Sequence, residues 1–97
     1  MRFDFKRAKD RLLYTEEKGA EKYPTGVVDA FFEVMSMVAG EPDERGFYVR
    51  KSLNFKKLKG DRQGRRSLRL NDQYRLIVSL EQDREGKYLL IHNIDKH

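Results

Sequence analysis

The sequence predicts an α+β fold, with a short N-terminal strand and two helices packed on one face of a C-terminal antiparallel sheet. Three observations carry this reading. Residues 24–42, "PTGVVDAFFEVMSMVAGEP", keep helical periodicity with one narrow polar stripe. From Asn54 onward the apolar period drops to two, in short runs split by turn-forming residues. Helices thus come before strands instead of alternating with them, as when helices gather on one face of an antiparallel sheet.

Each element follows from its residues. In "MRFDFK", Phe3 and Phe5 alternate with Arg2, Asp4 and Lys6, the pattern of a short amphipathic strand. "RAKDRLLYTEEKG" is rich in helix formers and reaches a stop at Gly19. Ala8, Leu12 and Thr15 share one face of it, a thin stripe that predicts a surface helix. In the next helix Asp29, Glu33, Ser36 and Gly40 recur at helical spacing, while Val27, Val28, Phe31, Phe32, Val34, Met35, Met37 and Val38 fill the rest. That helix is expected to be mostly buried, entered at Pro24–Thr25 and left at Gly40 and Pro42. Residues 43–54 read as a loop or a single helical turn. "NFKKLKG" is a short strand and "DRQG" a turn. "RRSLRL" sets Arg66, Leu68 and Leu70 against Arg65, Ser67 and Arg69 on the opposite face. Asn71–Asp72 is a two-residue turn candidate. "QYRLIVSL" and "KYLLIHNI" are strands joined through "EQDREG". Tyr74 alternates to the side opposite Arg75 and belongs to the core, and His92 on its apolar strand reads as a structural histidine.

Ninety-seven residues bury one modest core, so residues 1–97 are read as a single domain. Eleven aromatic residues argue against disorder. The absence of cysteine excludes disulfides and thiolate metal sites and suits a reducing cytoplasm. Two histidines and scattered carboxylates show no ligand spacing, so no metal and no cofactor is expected. No apolar run approaches a membrane span, and "MRFDFKRAKD" lacks the apolar core of a signal peptide. The net charge is +5, and its placement is uneven. Between Arg50 and Arg75, ten basic residues face only Asp61 and Asp72, a local charge of +8, while the remainder is −3. Such a block is the footprint of a polyphosphate partner, with an acidic protein partner as the other reading.

Three pieces stand in a set order: "FKKLKGDRQG", "RRSLRLNDQYRLIV" and the terminal "NIDKH". Together, from Asn54 to His97, they resemble the HigB-like (plasmid killer) branch of the RelE/ParE toxin superfamily. That branch carries Leu-Lys-Gly, a Gly-Asp-x-x-Gly turn, Ser-hydrophobic-Arg, Asn-Asp-Gln-(Trp/Tyr)-Arg and a closing Asp-x-His. The resemblance implies a fold like that of a microbial ribonuclease and the toxin half of a type II toxin–antitoxin pair. It further implies ribosome-dependent cleavage of messenger RNA. The implied partners are the ribosome with its message and a helix-turn-helix, HigA-like antitoxin, with no DNA binding by the toxin itself.

The resemblance places catalysis or RNA contact at Lys59 of Leu-Lys-Gly, at Arg75 of "QYR", and at Asp95 and His97 of the closing triplet. Lys56 and Lys57 precede Leu-Lys-Gly where relatives often carry histidine, and Lys96 stands where tyrosine is usual. RNA can be cut without a metal: the 2′-OH attacks the adjacent phosphate and the 5′-oxygen leaves. Arg75 suits the charge of that transition state because its planar fork bridges phosphate oxygens. His97 suits proton transfer and Asp95 its orientation. Lys59 reads as a phosphate clamp with partial base character. Lys56, Lys57, Arg62, Arg65, Arg66 and Arg69 read as RNA-backbone contacts. Two other readings fit the same fold: a ParE-like gyrase inhibitor, and an inactive relative held by its antitoxin.

Overall fold

The structure is a computed structural model that describes residues 1–62 and 64–96, apart from the side chain of Asp61. Its elements run β1 (Phe3–Phe5), α1 (Ala8–Glu16), α2 (Val27–Gly40), α3 (Arg45–Val49), β2 (Lys56–Lys57), β3 (Arg66–Arg69), β4 (Tyr74–Asp83) and β5 (Gly86–Lys96). The five strands form one sheet in the order β1-β5-β4-β3-β2. β2 through β5 are antiparallel, as expected. β1 adds itself parallel to β5, with Phe3 opposite Leu89 and Phe5 opposite Ile91, which makes the sheet mixed. The α+β class holds, with a third short helix in the stretch where one helical turn was among the expectations.

The core lies between the helices and one face of this sheet. α2 buries Val27, Phe31, Val34, Met35 and Val38 and exposes Asp29, Glu33 and Ser36, so the polar stripe marks its outer side. Each fully buried apolar side chain of this kind contributes about 1.5–3 kcal/mol. From the sheet come Leu68, Leu76, Val78, Leu89, Ile91 and Ile94. Phe3 and Phe5 point the same way and join Tyr14, Phe31 and Phe32 in an aromatic cluster with ring centroids 5.4–6.3 Å apart. Tyr74 packs against this core too, as its alternation requires.

α1 corrects the sequence reading. Ala8 and Thr15 are exposed, and the inward side carries Asp10, Leu13 and Tyr14. Asp10 is fully buried because Arg7, just ahead of the helix, reaches it with Nε at 2.9 Å. A paired carboxylate can occupy an inward position that an apolar-periodicity count assigns to solvent. The helix also ends sooner than Gly19, at Glu17 in the left-handed region (φ 55°).

Two turns differ in length from expectation. The Asn71–Asp72 turn is wider, with β3 ending at Arg69 and β4 beginning at Tyr74. The Asn71 side chain closes it by accepting from the backbone N–H groups of Gln73 (2.9 Å) and Tyr74 (2.8 Å), a turn built on side-chain mimicry of backbone. The β4–β5 hairpin is tighter. The strands run on through Glu81–Asp83 and turn at Arg84–Glu85, with Gly86 at φ 109°. Arg2 clamps that tip, binding Asp83 at 2.6 Å and the Gly86 carbonyl at 2.8 Å.

Candidate active site

The sheet face turned away from the helices holds the candidate chemistry. Strand alternation places Arg75 and Asp95 on it as direct cross-strand partners, with Arg69 opposite Arg75 on the other side. The same face carries Lys56 and Ser67, which pair across β2 and β3, and Ile77, Ser79 and Asn93. The segment between β2 and β3 laps over it. Arg62 in that segment reaches β5 and binds Asp95, Nη2 to Oδ2, at 2.8 Å. Ile77 on this face is fully buried.

Asp95 is the centre of a three-member charge group. Arg75 approaches the same Oδ2 with Nη2 at 3.5 Å, long for a hydrogen bond. Burial pushes the Asp95 carboxyl up, but the hydrogen bond and charge of Arg62 and the charge of Arg75 outweigh it and hold the group below its ordinary value. Asp95 is therefore a carboxylate at neutral pH, and its work is to hold two guanidinium groups. Arg75 is less fully used. Its Nε is buried and has no hydrogen-bond partner among the described residues. With Asp95 no nearer than 3.5 Å, the terminal guanidinium nitrogens of Arg75 keep donor capacity that an anion could use.

Arg75 opens into a recess of about 130 Å³ lined by Asn54, Lys56, Ser67, Arg69, Asp72 and Arg75. Three cations there meet one carboxylate, Asp72, which is bound to Arg69. A second, larger cleft of about 740 Å³ is lined by Lys57, Lys59, Arg65 and Arg66 with Leu58, Gly60 and Gly64. The residues singled out in the sequence thus fall into two groups. Lys56, Arg62, Arg69, Arg75 and Asp95 come together on the open face. Lys57, Lys59, Arg65 and Arg66 line the other cleft. Lys57 and Arg66 pair with each other at the sheet edge, on the side of Leu68. There the Arg66 guanidinium lies 5.5 Å from the Phe55 ring centroid and donates to the Tyr48 hydroxyl. His97 lies outside the described residues. Among the described residues no group of three or more His, Asp or Glu is placed to hold a metal ion. No helix of the described chain is long and apolar enough to cross a membrane.

A buried polar chain further along the open face was not legible in the sequence. Ile77 pairs with Asn93 but Val78 pairs with Ile91, so His92 is the extra residue of a β-bulge. The bulge turns His92 onto the open face, where Nε2 lies 2.7 Å from Ser79 Oγ. Ser79 donates its single proton to Glu81 at 2.7 Å, so Nε2 of His92 donates to Ser79. Burial, then the charges of Arg65 and Lys6, push the imidazole below its ordinary pKa, against the smaller pull of Glu81. Folding therefore favours the neutral ring. Above about pH 6.5 the ring is neutral whether the chain is folded or not; below it the unfolded chain takes up the proton first. Stability should fall as pH drops from about 7 to about 5, and His92→Gln should flatten that slope. Melting curves across this range are the check, and an equal slope in the variant would move the loss elsewhere.

No family model matches the chain, and no curated protein sequence matches it. Solved structures do. A mutant of YafQ from E. coli superposes with a TM-score of 0.65 at 14% identity, over 100% of this chain and 94% of that one. YoeB in the YoeB-YefM complex from Staphylococcus aureus gives 0.58 at 17% identity, over 100% and 97%. The toxin-antitoxin complex RelBE2 from Mycobacterium tuberculosis gives 0.54 at 19%, over 99% and 96%. At these identities the likeness concerns architecture: helices on one face of a five-stranded sheet, end to end. The chain has the fold that YafQ, YoeB and the RelBE2 complex display.

Proposed function

We propose that this chain is the toxin of a type II toxin–antitoxin pair, of the HigB-like kind, and that it cleaves messenger RNA on the ribosome. The observation that carries this reading is Arg75. It lies beside Asp95 at 3.5 Å, holds a buried Nε without a partner among the described residues, and faces a recess shared with Lys56 and Arg69. A phosphodiester fits that arrangement. Its non-bridging oxygens accept from the Arg75 guanidinium, and Lys56 and Arg69 neutralise the neighbouring charge. The 2′-OH attacks the adjacent phosphorus and loses its proton to a base. The P–O5′ bond breaks, and the 5′-oxygen receives a proton. A 2′,3′-cyclic phosphate and a 5′-hydroxyl remain. Asp95 fixes Arg75 and Arg62 and does not itself move the proton, since its partners hold it ionised. His97 is the proposed proton carrier, on the strength of the closing Asp-x-His, and Lys59 a phosphate clamp in the adjoining cleft. The proposed neutralising partner is a helix-turn-helix antitoxin.

Primer extension on a defined message in a cell-free translation system tests the reading. The intact protein should give cuts within the reading frame that vanish when ribosomes are left out. His97→Gln should weaken them by ~10²-fold or more, the usual scale of a lost acid or base. Lys59→Ala should raise the concentration needed without abolishing cutting. Folded, antitoxin-free protein that leaves the message intact would refute the ribonuclease assignment.

A further inference from the structure

Arg66 joins the larger basic cleft to an exposed aromatic ring. Tyr48 and Val49, at the end of α3, are the exposed large apolar side chains among the described residues, at 53% and 80% exposure. They are adjacent, and they sit at the edge of a strongly basic surface. Tyr48 does not hang free. Its ring lies against Phe55 edge-on, with centroids 4.8 Å apart and planes at 66°, and its hydroxyl accepts from Arg66 Nη1. Arg66 in turn lies over Phe55 and lines the cleft with Lys57, Lys59 and Arg65. Four cations line this cleft, and no carboxylate is among the described lining residues.

We propose that Tyr48 is a base-stacking shelf for single-stranded RNA whose backbone runs through the Lys57–Lys59–Arg65–Arg66 cleft. The inference rests on the RNA reading above and adds a second contact surface to it, away from the Arg75 recess. The cations take successive phosphates, which gives affinity without sequence preference. The ring supplies what phosphate contacts lack, a flat apolar surface for an unpaired base. Its fixed position matters. A ring already held by Phe55 and Arg66 loses little rotational freedom when a base lands on it. An acidic peptide would satisfy the cations as well, but it would have no use for a fixed, open ring face. A duplex keeps its bases stacked inside, so the shelf selects unpaired strand.

The test is binding of a fluorescent 2′-O-methyl RNA decamer, whose blocked 2′-oxygens prevent cleavage. Wild type, Tyr48→Ala, Tyr48→Phe and Tyr48→Trp are compared, each on the decamer, on its duplex and on a decamer of abasic units. Tyr48→Ala should bind the decamer roughly 5- to 100-fold more weakly, the range for loss of one stacked base. The Phe and Trp variants should stay near wild type. On the abasic strand all four should converge. Equal binding by wild type and Tyr48→Ala overturns the shelf and leaves the RNA reading standing. Undiminished binding of the abasic strand overturns it too, since phosphates alone then suffice. Failure of wild type to bind any RNA removes the shelf, while the ribonuclease reading stands or falls on the translation assay above. If Tyr48→Ala instead loses only its hold on a co-expressed antitoxin, the surface is a protein interface and the proposal falls.

Discussion

Arg75→Ala is expected to slow single-turnover cleavage of message by ~10²–10³-fold, the scale of one lost donor to a developing oxyanion. The fold should survive the change. Asp95 keeps its 2.8 Å partner Arg62, so no carboxylate is stranded when Arg75 goes. The loss should appear in the rate at saturating ribosome more than in the concentration for half-saturation. Lys56, Arg69 and the cleft cations still gather RNA, whereas Arg75 is the recess guanidinium set beside Asp95 on the open face. Arg75→Lys should not restore the rate, because an ammonium is a point charge and cannot bridge two phosphate oxygens from the same position. Asp95→Asn makes a useful companion. It frees both arginines from their shared anchor, so its defect should be similar in rate while its melting point drops further than that of Arg75→Ala. Rapid quench with radiolabelled message measures the rates. An Arg75→Ala protein that cuts at wild-type speed would remove the site from the open face.

Phe31→Ala is expected to be the most damaging single change to stability. Phe31 is fully buried on α2 and meets Tyr14 at 6.3 Å and Phe32 at 5.4 Å between ring centroids. Truncating a buried phenylalanine costs about 3–5 kcal/mol from lost transfer energy and the cavity left behind. A domain of this size has roughly 5–15 kcal/mol in all, so the variant should be marginal at body temperature. Its Tm should fall by at least about 12 °C. Phe32→Ala, one residue along and only partly buried, should cost clearly less. Urea titrations of both variants, read for midpoint and slope, give the comparison. Equal losses would mean that the aromatic cluster, not the helix–sheet core, holds α2 in place.

The elements with one strong period were legible in the sequence. α2 shows its exposed side through Asp29, Glu33 and Ser36, and β4 and β5 show their inward residues by alternation. Arg75 and Asp95 could each be singled out, but not their pairing, because register depends on hairpin length and on the bulge at His92. That one extra residue also turned a histidine in an apolar run into part of a polar chain with Ser79 and Glu81. The parallel placement of β1 beside β5 left no local mark, since Phe3 and Phe5 need only a face to cover and not a particular neighbour. α1 was misread because Arg7 neutralises Asp10, a pairing that an apolar count ignores. The basic block was visible as a block. Its division into two surfaces was not, because Lys56 and Lys57 differ by one position and so point to opposite sides of the sheet. Tyr48 lay in the stretch with the weakest periodicity, and only its contact with Arg66 gives it meaning.

The place of β1 in the sheet also fixes when the molecule becomes complete. Phe3 pairs with Leu89, so the first strand made has its neighbour among the last. During synthesis the helices emerge with Phe3, Phe5 and Tyr14 before any sheet exists to receive them. Arg75 and Asp95 meet only as β4 and β5 zip together, and that same event supplies the edge on which β1 docks. Contacts this distant in the chain close slowly and close late. The Arg75–Asp95 pair is therefore a product of sheet closure, and a chain folded only through β4 holds the arginine without its carboxylate.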